Sequence, residues 1–254
     1  MDFKGQHLVV TGGSSGIGLA TAQRFGAAGG RVTIVGRDTQ RLAQAAESIG
    51  AGVRTLSADV TDESILRGLF KSIGAFNHLV TAAGPAPNDG PFEAIDFRNA
   101  RALFEGKFWS QLMCARYALG QMSQPGSITF IGGSLSRKAM PGAPIFGAID
   151  GALETVARIL AIECAPIRVN AIAPGIIDTP MLGHYGPQVR ARVLERAAGE
   201  TLVQRYGMPG DVAKAIVHVI DNTFVNGTVM DVDGGMVADV RRRGGEPPGT
   251  GSAP

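Results

Sequence analysis

At 254 residues the chain suits one α/β domain with a substantial core, and 44% hydrophobic against 18% charged residues describe much small-residue packing. A net charge of +2 gives no electrostatic case for nucleic acid or an anionic membrane surface; the basic run Arg241-Arg242-Arg243 sits in a Gly- and Pro-rich end. No uninterrupted apolar stretch reaches the ~18 residues of a membrane span, and Met1-Asp2-Phe3-Lys4 does not open a signal peptide, so a cytoplasmic protein without membrane or nucleic-acid partners is expected.

Short β-branched or apolar runs alternate with longer helical patterns. In chain order they are His7 to Thr11, Arg31 to Val35, Val53 to Leu56, His78 to Thr81, Ser127 to Ile131, Ile167 to Ile172 and Thr228 to Asp231. This rhythm predicts an α/β fold, a doubly wound parallel sheet of seven strands with helices on both faces, in a single domain over residues 1–240. Residues 241–254 read as a flexible tail or an arm toward a neighbouring subunit. Cys114 and Cys164 fall in predicted helices and read as reduced core thiols; no metal site is expected.

Between the first strand and the first helix lies Thr11-Gly12-Gly13-Ser14-Ser15-Gly16-Ile17-Gly18. Glycines there allow a tight turn and a close backbone approach to a pyrophosphate, and the helix start supplies amides for the anion. Gly12, Ser14, Ser15, Gly16, Ile17 and Gly18 are therefore candidate dinucleotide-binding residues. At the end of the second strand, Arg37 stands where an adenosine ribose would lie, and a guanidinium there pairs with a 2′-phosphate, favouring NADP over NAD. Asp38, one position later, reads as the cap of the next helix. Asp59-Val60 after the third strand suits the adenine, and Ala83-Gly84 ends the fourth where small residues let a cofactor pass.

These motifs resemble the short-chain dehydrogenases/reductases. The resemblance runs from about Lys4 to Val237 and takes in the TGxxxGxG element at Thr11 to Gly18, Asp59-Val60, Ala83-Gly84, Ser134, Arg168 to Gly175 and Val232-Asp233-Gly234-Gly235. It implies a Rossmann domain with the dinucleotide at the C-terminal edge of the sheet, a homodimer or homotetramer packed through two long central helices, and a substrate lid over about residues 179–207. It also implies that Pro174, Gly175, Ile177 and Thr179 border the nicotinamide and that Ser134 holds the substrate oxygen.

The resemblance fails at the proton chemistry. The family's tyrosine, and the lysine four residues later that holds the nicotinamide ribose, align with Phe146 and Asp150 whether the frame is anchored on Glu163 or Ser134. Sliding by one gives Gly147 and Gly151, which restores neither. Asp150 remains able to accept from ribose hydroxyls, whereas Phe146 has no proton to exchange. An asparagine that commonly completes the family's catalytic group aligns with Lys107, on a helix read from about Phe97 to Met122. Lys107 shares an inward stripe with Ala100, Leu103, Phe104, Cys114 and Ala118. A lysine there must snorkel, pair with an acid or lose its charge. Lys107 is thus expected to reach the cleft, paired with Asp150 or acting as the proton donor, beside Ser134. Other groups considered are Tyr185 and His184 in the lid, and Arg137 and Lys138 for an anionic substrate.

Two functions fit these residues. One is an NADP(H)-dependent oxidoreductase transferring a hydride to or from a small-molecule carbonyl or secondary alcohol with an altered proton donor. The other is a non-catalytic NADP-binding sensor, scaffold or subunit of a mixed oligomer.

Overall fold

The β-branched runs do form strands, and consecutive side chains of each strand enter opposite faces of one sheet. The computed structural model describes residues 1–87 and 89–238, so the tail expected at 241–254 lies outside the described residues. Among these the strands are β1 (His7–Thr11), β2 (Arg31–Gly36), β3 (Arg54–Ser57), β4 (Phe76–Thr81), β5 (Met122–Ile131), β6 (Arg168–Pro174) and β7 (Val229–Val232). They pair in parallel in the order β3-β2-β1-β4-β5-β6-β7, a seven-stranded sheet.

On β1 the alternation is explicit. Leu8 and Val10 join one core with Phe25 of α1 (Gly16–Ala27), Leu42 of α2 (Thr39–Ile49) and Val212, Ile216 and Ile220 of α8 (Pro209–Asp221). Val9 joins the other core with Leu66 and Phe70 of α3 (Glu63–Ile73), Leu103 of α4 (Phe97–Leu103), Cys114 of α5 (Ser110–Ala118), and Ile149 and Leu153 of α6 (Pro144–Glu163). A sheet covered on both faces needs strands apolar on both sides, which is why β1 is buried along its whole length. The remaining helix, α7 (Gly186–Glu200), follows the short turn Pro180–Tyr185. No helix among the described residues is long and apolar enough to cross a membrane.

The chain leaves β1 toward β2 and β3, then returns to β4 on the other side of β1. Such a reversal opens a crevice beyond the C-terminal strand ends, where doubly wound sheets receive their ligands.

Part of the Arg168 to Gly175 element holds the sheet together. Arg168 is buried and donates to the carbonyls of Val219, Ile220 and Val225, capping the C-terminal end of α8, where a cation meets the negative pole of the helix. Asn170 bonds Val225 and Thr228 in the same corner. Cys114 is a core thiol pushed up to about 12 by burial.

Candidate active site

Residues from six of the expected motifs meet at the C-terminal strand ends. Gly12 has φ +73°, and a Cβ there would lie 2.6 Å from the backbone of Ala82 and Ala83, so only glycine lets the first loop lie flat against the end of β4. A Cβ on Gly18 would collide with the Gly12 carbonyl, which keeps helix α1 pressed on its own loop. Ser15 begins α1 in an extended conformation without a side-chain cap, and the first turn carries no acid. The amides of Gly16, Ile17 and Gly18 at the start of α1 thus have no capping side chain, the local geometry that accepts a pyrophosphate.

Ser14 lies beside the end of β2, its Oγ 3.4 Å from where a Cβ of Gly36 would be. Arg37 is exposed and forms no ion pair among the described residues. Asp38 is committed to α2, accepting from the amides of Gln40 and Arg41 at 2.9 and 3.0 Å. Asp59 accepts from the amide and hydroxyl of Thr61; the amide bond first, then the hydroxyl, holds its carboxyl below the ordinary range. Val60 beside it is buried. At the far wall, Gly175 packs against Asp233, and Ile177 forms a parallel bridge to Gly207. Thr179 comes within 3.3 Å of the position a Gly16 Cβ would take, so the root of the 179–207 segment meets the start of α1. Glycine cradles that a Cβ would fill, open helix amides and an unpaired guanidinium fit a phosphorylated dinucleotide.

On the other side of the cleft the side chains depart from expectation in useful ways. The helix from Phe97 is not a uniform cylinder: residues Phe104–Trp109 form a π-helical turn between α4 and α5. A π turn adds a residue and shifts the faces that follow it, and such turns recur at functional sites. Gly106, inside it, lets Pro85 pack closely, and the stem of Lys107 runs 3.6 Å from where a Cβ of Gly84 would be. Lys107 Nζ ends 2.7 Å from Asp150 Oδ1 and 4.5 Å from the centroid of the Phe146 ring. The lysine side chain is 12% exposed and the aspartate 1%.

Asp150 and Lys107 form the pairing expected of them: the carboxylate lies between Lys107 and Gly133, where an added Cβ would collide with its second oxygen. Burial of a carboxylate is tolerable only with a charged partner, and Lys107 takes that place first. Asp150 is consequently a residue that positions Lys107. Ser134 opens a short turn at Ser134–Ser136, is 3% exposed, and its hydroxyl makes no hydrogen bond among the described residues.

Sequence reasoning missed three supports. Gln111 is buried and exchanges bonds of 2.9 and 3.0 Å with the main chain of Ile131, fixing α5, and with it Lys107, against the end of β5. Glu154, one helical turn beyond Asp150, accepts from Ser136 and Arg137 and pairs with Arg158, so it pins the turn that carries Ser134. Asp89 accepts from the amides of Ile145 and Phe146 at 2.8 and 3.1 Å, capping α6 from the loop after β4. A buried glutamine on an inward stripe and a mid-helix Gly106 were the available signals; nothing local pointed to Glu154 or Asp89. Arg137 also binds Asp231, and Lys138 lies 3.2 Å from Glu200, so neither is free to greet an anionic substrate. Tyr185 lies in the turn before α7, and the side chain of His184 is outside the described set.

The chain is similar to known proteins over nearly its whole length. A family model described as enoyl-(acyl carrier protein) reductase matches residues 12–237. Over 253 residues the chain is 31% identical to a short-chain dehydrogenase/reductase, ATR9, of Stachybotrys chlorohalonatus, covering 92% of this chain and 97% of that protein. It is 32% identical to the 3-oxoacyl-(acyl-carrier-protein) reductase of Bos taurus, covering 89% and 96%. Among solved structures, a small-chain dehydrogenase in complex with NADPH is similar at 32% identity and TM-score 0.79, covering 92% of this chain and 99% of that one.

Proposed function

The chain belongs to the short-chain dehydrogenase/reductase family, and from that premise we propose that it is an NADP(H)-dependent oxidoreductase of a carbonyl compound or secondary alcohol, its proton-donor arrangement rebuilt around Lys107. The observation that carries this reading is the Lys107–Asp150 pair at 2.7 Å, buried against Gly133, the residue before Ser134. A buried pair of this kind is often no better for stability than apolar residues of the same volume. A fold that only held a dinucleotide would be served as well by two hydrophobic side chains, so the retained charges argue for chemistry.

The bound dinucleotide supplies or accepts the hydride. Open amides at the start of α1 hold its pyrophosphate, and Arg37, which forms no ion pair among the described residues, with Ser14 beside it suits a 2′-phosphate; Asp38 is held to the start of α2 by its cap bonds. Pro174, Gly175, Ile177 and Thr179 border the nicotinamide side, and Ala83 with Gly84 leave room along β4. Ser134 donates to the substrate oxygen. Lys107 gives one N–H to Asp150, rests over the Phe146 ring and directs what remains of its charge at the same oxygen. We read the protein as a cytoplasmic homodimer or homotetramer, supported by Trp109, Ile159 and Ile162, which are 44%, 49% and 80% exposed on the two long helical segments.

Lys107→Met tests the reading. NADPH oxidation with a panel of ketones and aldehydes is expected to fall ~10²–10³-fold while NADPH fluorescence titration stays at the wild-type affinity. Unchanged kinetics in a folded, dinucleotide-binding variant would remove Lys107 from the mechanism. Tight NADPH binding by the wild type with no turnover on any compound would favour the sensor or scaffold instead.

A further inference from the structure

We infer that Lys138 and Glu200 are positioning residues, an ion pair that carries closure of the 179–207 segment over the substrate to the hydroxyl of Ser134; this rests on the oxidoreductase reading above and names how that site is assembled. Ser134 belongs to a turn closed on itself. Its carbonyl accepts from the amides of Arg137 at 3.1 Å and Lys138 at 2.9 Å, so a displacement at Lys138 is passed to Ser134 through the main chain. Two cations leave this turn in different directions. Arg137 reaches Glu154 on α6 and Asp231 on β7, both parts of the framework. Lys138 Nζ instead lies 3.2 Å from Oε2 of Glu200, the last residue of α7. The turn that presents the serine therefore stands between the framework and the segment read as the substrate lid.

The place of Glu200 gives it leverage. The root of the segment is held by main chain: the Asp178 amide donates to the Gly207 carbonyl at 2.9 Å, and the Gly207 amide to the Ile176 carbonyl at 3.1 Å. Arg190 adds a bond to Asp178 at that root, 3.2 Å from its Nε. Beyond α7 the amides of Leu202 and Val203 donate to the carbonyl of Gly234. Whatever moves α7 between these attachments moves Glu200 with it. One carboxylate oxygen accepts from Arg196 at 2.6 Å, a partner one turn back on the same helix that travels with it; the other faces Lys138, which does not. The two side chains of the Lys138–Glu200 pair are 29% and 21% exposed, so solvent and salt screen it in part. A pair of that strength is too weak to lock the segment and strong enough to bias it, since two coupled sites shift one another by ~5–150-fold. Substrate that draws α7 down seats Ser134 in the same movement, so the hydroxyl is in place when water is shut out.

Two measurements on the full chain with NADPH present decide it. The first needs no turnover: amide hydrogen exchange over residues 134–138 is compared in wild type and Glu200→Gln, an isosteric change at a part-exposed position. The amides of Arg137 and Lys138 are expected to exchange about tenfold faster in the variant, and unchanged exchange overturns the inference. Arg196→Gln, which leaves Lys138 its partner, is expected to stay within about twofold of wild type; equal acceleration there would mean that α7 had loosened as a whole and also overturns it. The second measurement follows NADPH oxidation with a panel of ketones. Glu200→Gln, Lys138→Met and the double variant are each expected to lower kcat about tenfold, the double no further than either single because the pair acts as a unit. NADPH affinity should stay at the wild-type value, and Lys138→Arg, which keeps the charge, should keep most of the activity. Losses that multiply in the double variant, or a raised KM with kcat unchanged, overturn the inference and leave the oxidoreductase reading standing. No NADPH consumed by the wild type with any ketone removes that reading, while the exchange comparison still decides whether the pair couples the segment to the turn.

Discussion

The two ends of the sheet solve the problem of buried polarity in opposite ways. At the N-terminal ends of β1 and β4, His7 bonds Thr33 at 2.9 Å, and His78 bonds Ser127 at 2.9 Å and Gln6 at 2.7 Å. Burial, reinforced by the charge of Arg168, drives His78 down to about 3, and burial lowers His7 in the same sense. Both rings are neutral and their nitrogens are occupied. At the C-terminal ends a lysine and an aspartate pair at 2.7 Å, the lysine partly exposed and the aspartate buried. A neutral, saturated network is inert scaffold. A buried ion pair is the costlier arrangement, often no more stable than apolar residues of the same volume.

The contrast breaks most sharply at Lys107. In thermal or urea unfolding, Lys107→Met is expected to lose ~3–5 kcal/mol through the stranded carboxylate, and adding Asp150→Asn to recover most of it. Recovery would identify the pair as electrostatically closed; no loss in the single variant would mean that water already reaches Asp150. A smaller effect is expected at Glu154. Glu154→Ala frees Ser136 and Arg137 and loosens the turn of Ser134, so ~2 kcal/mol of stability and a lower kcat with unchanged NADPH affinity should follow. Loss of dinucleotide affinity instead would place Glu154 in the other half of the site.

The scaffold end gives the smallest effect, and its sign can be worked out. An imidazole whose folded value lies below its unfolded value of about 6.5 takes up protons only on unfolding as the pH falls. Its stability is intact above that value and is lost progressively toward about 3, the value in the fold. Between pH ~6.5 and ~5 His78 should account for about 1.5 kcal/mol of destabilisation. Comparing the pH dependence of unfolding in wild type and His78→Gln should show a shallower slope in the variant, and equal slopes would refute the assignment.

Most of the fold was legible because its signals are local. Alternation along β1 and β4, the Asp38 cap and the glycines at Gly12 and Gly18 each act within a few residues. The site was legible only in outline. The inward stripe nominated Lys107, but a helical wheel assumes a uniform helix, and the turn at Phe104–Trp109 is π-helical. Asp89 and Phe146 are 57 residues apart, and Arg137 and Asp231 are 94 apart.

By itself, then, the sequence determined the parallel sheet, the tight glycine turn between β1 and α1 and the presence of a phenyl ring and a carboxylate at Phe146 and Asp150, because periodicity, glycine geometry and side-chain identity are properties of short segments. Tertiary structure alone decided that Lys107 and Asp150 meet at 2.7 Å away from water, that Glu154 and Asp89 hold the walls, and that Arg137 and Lys138 are already paired. Those outcomes depend on which charges are brought out of water together, and desolvation is settled only when distant segments close over one another.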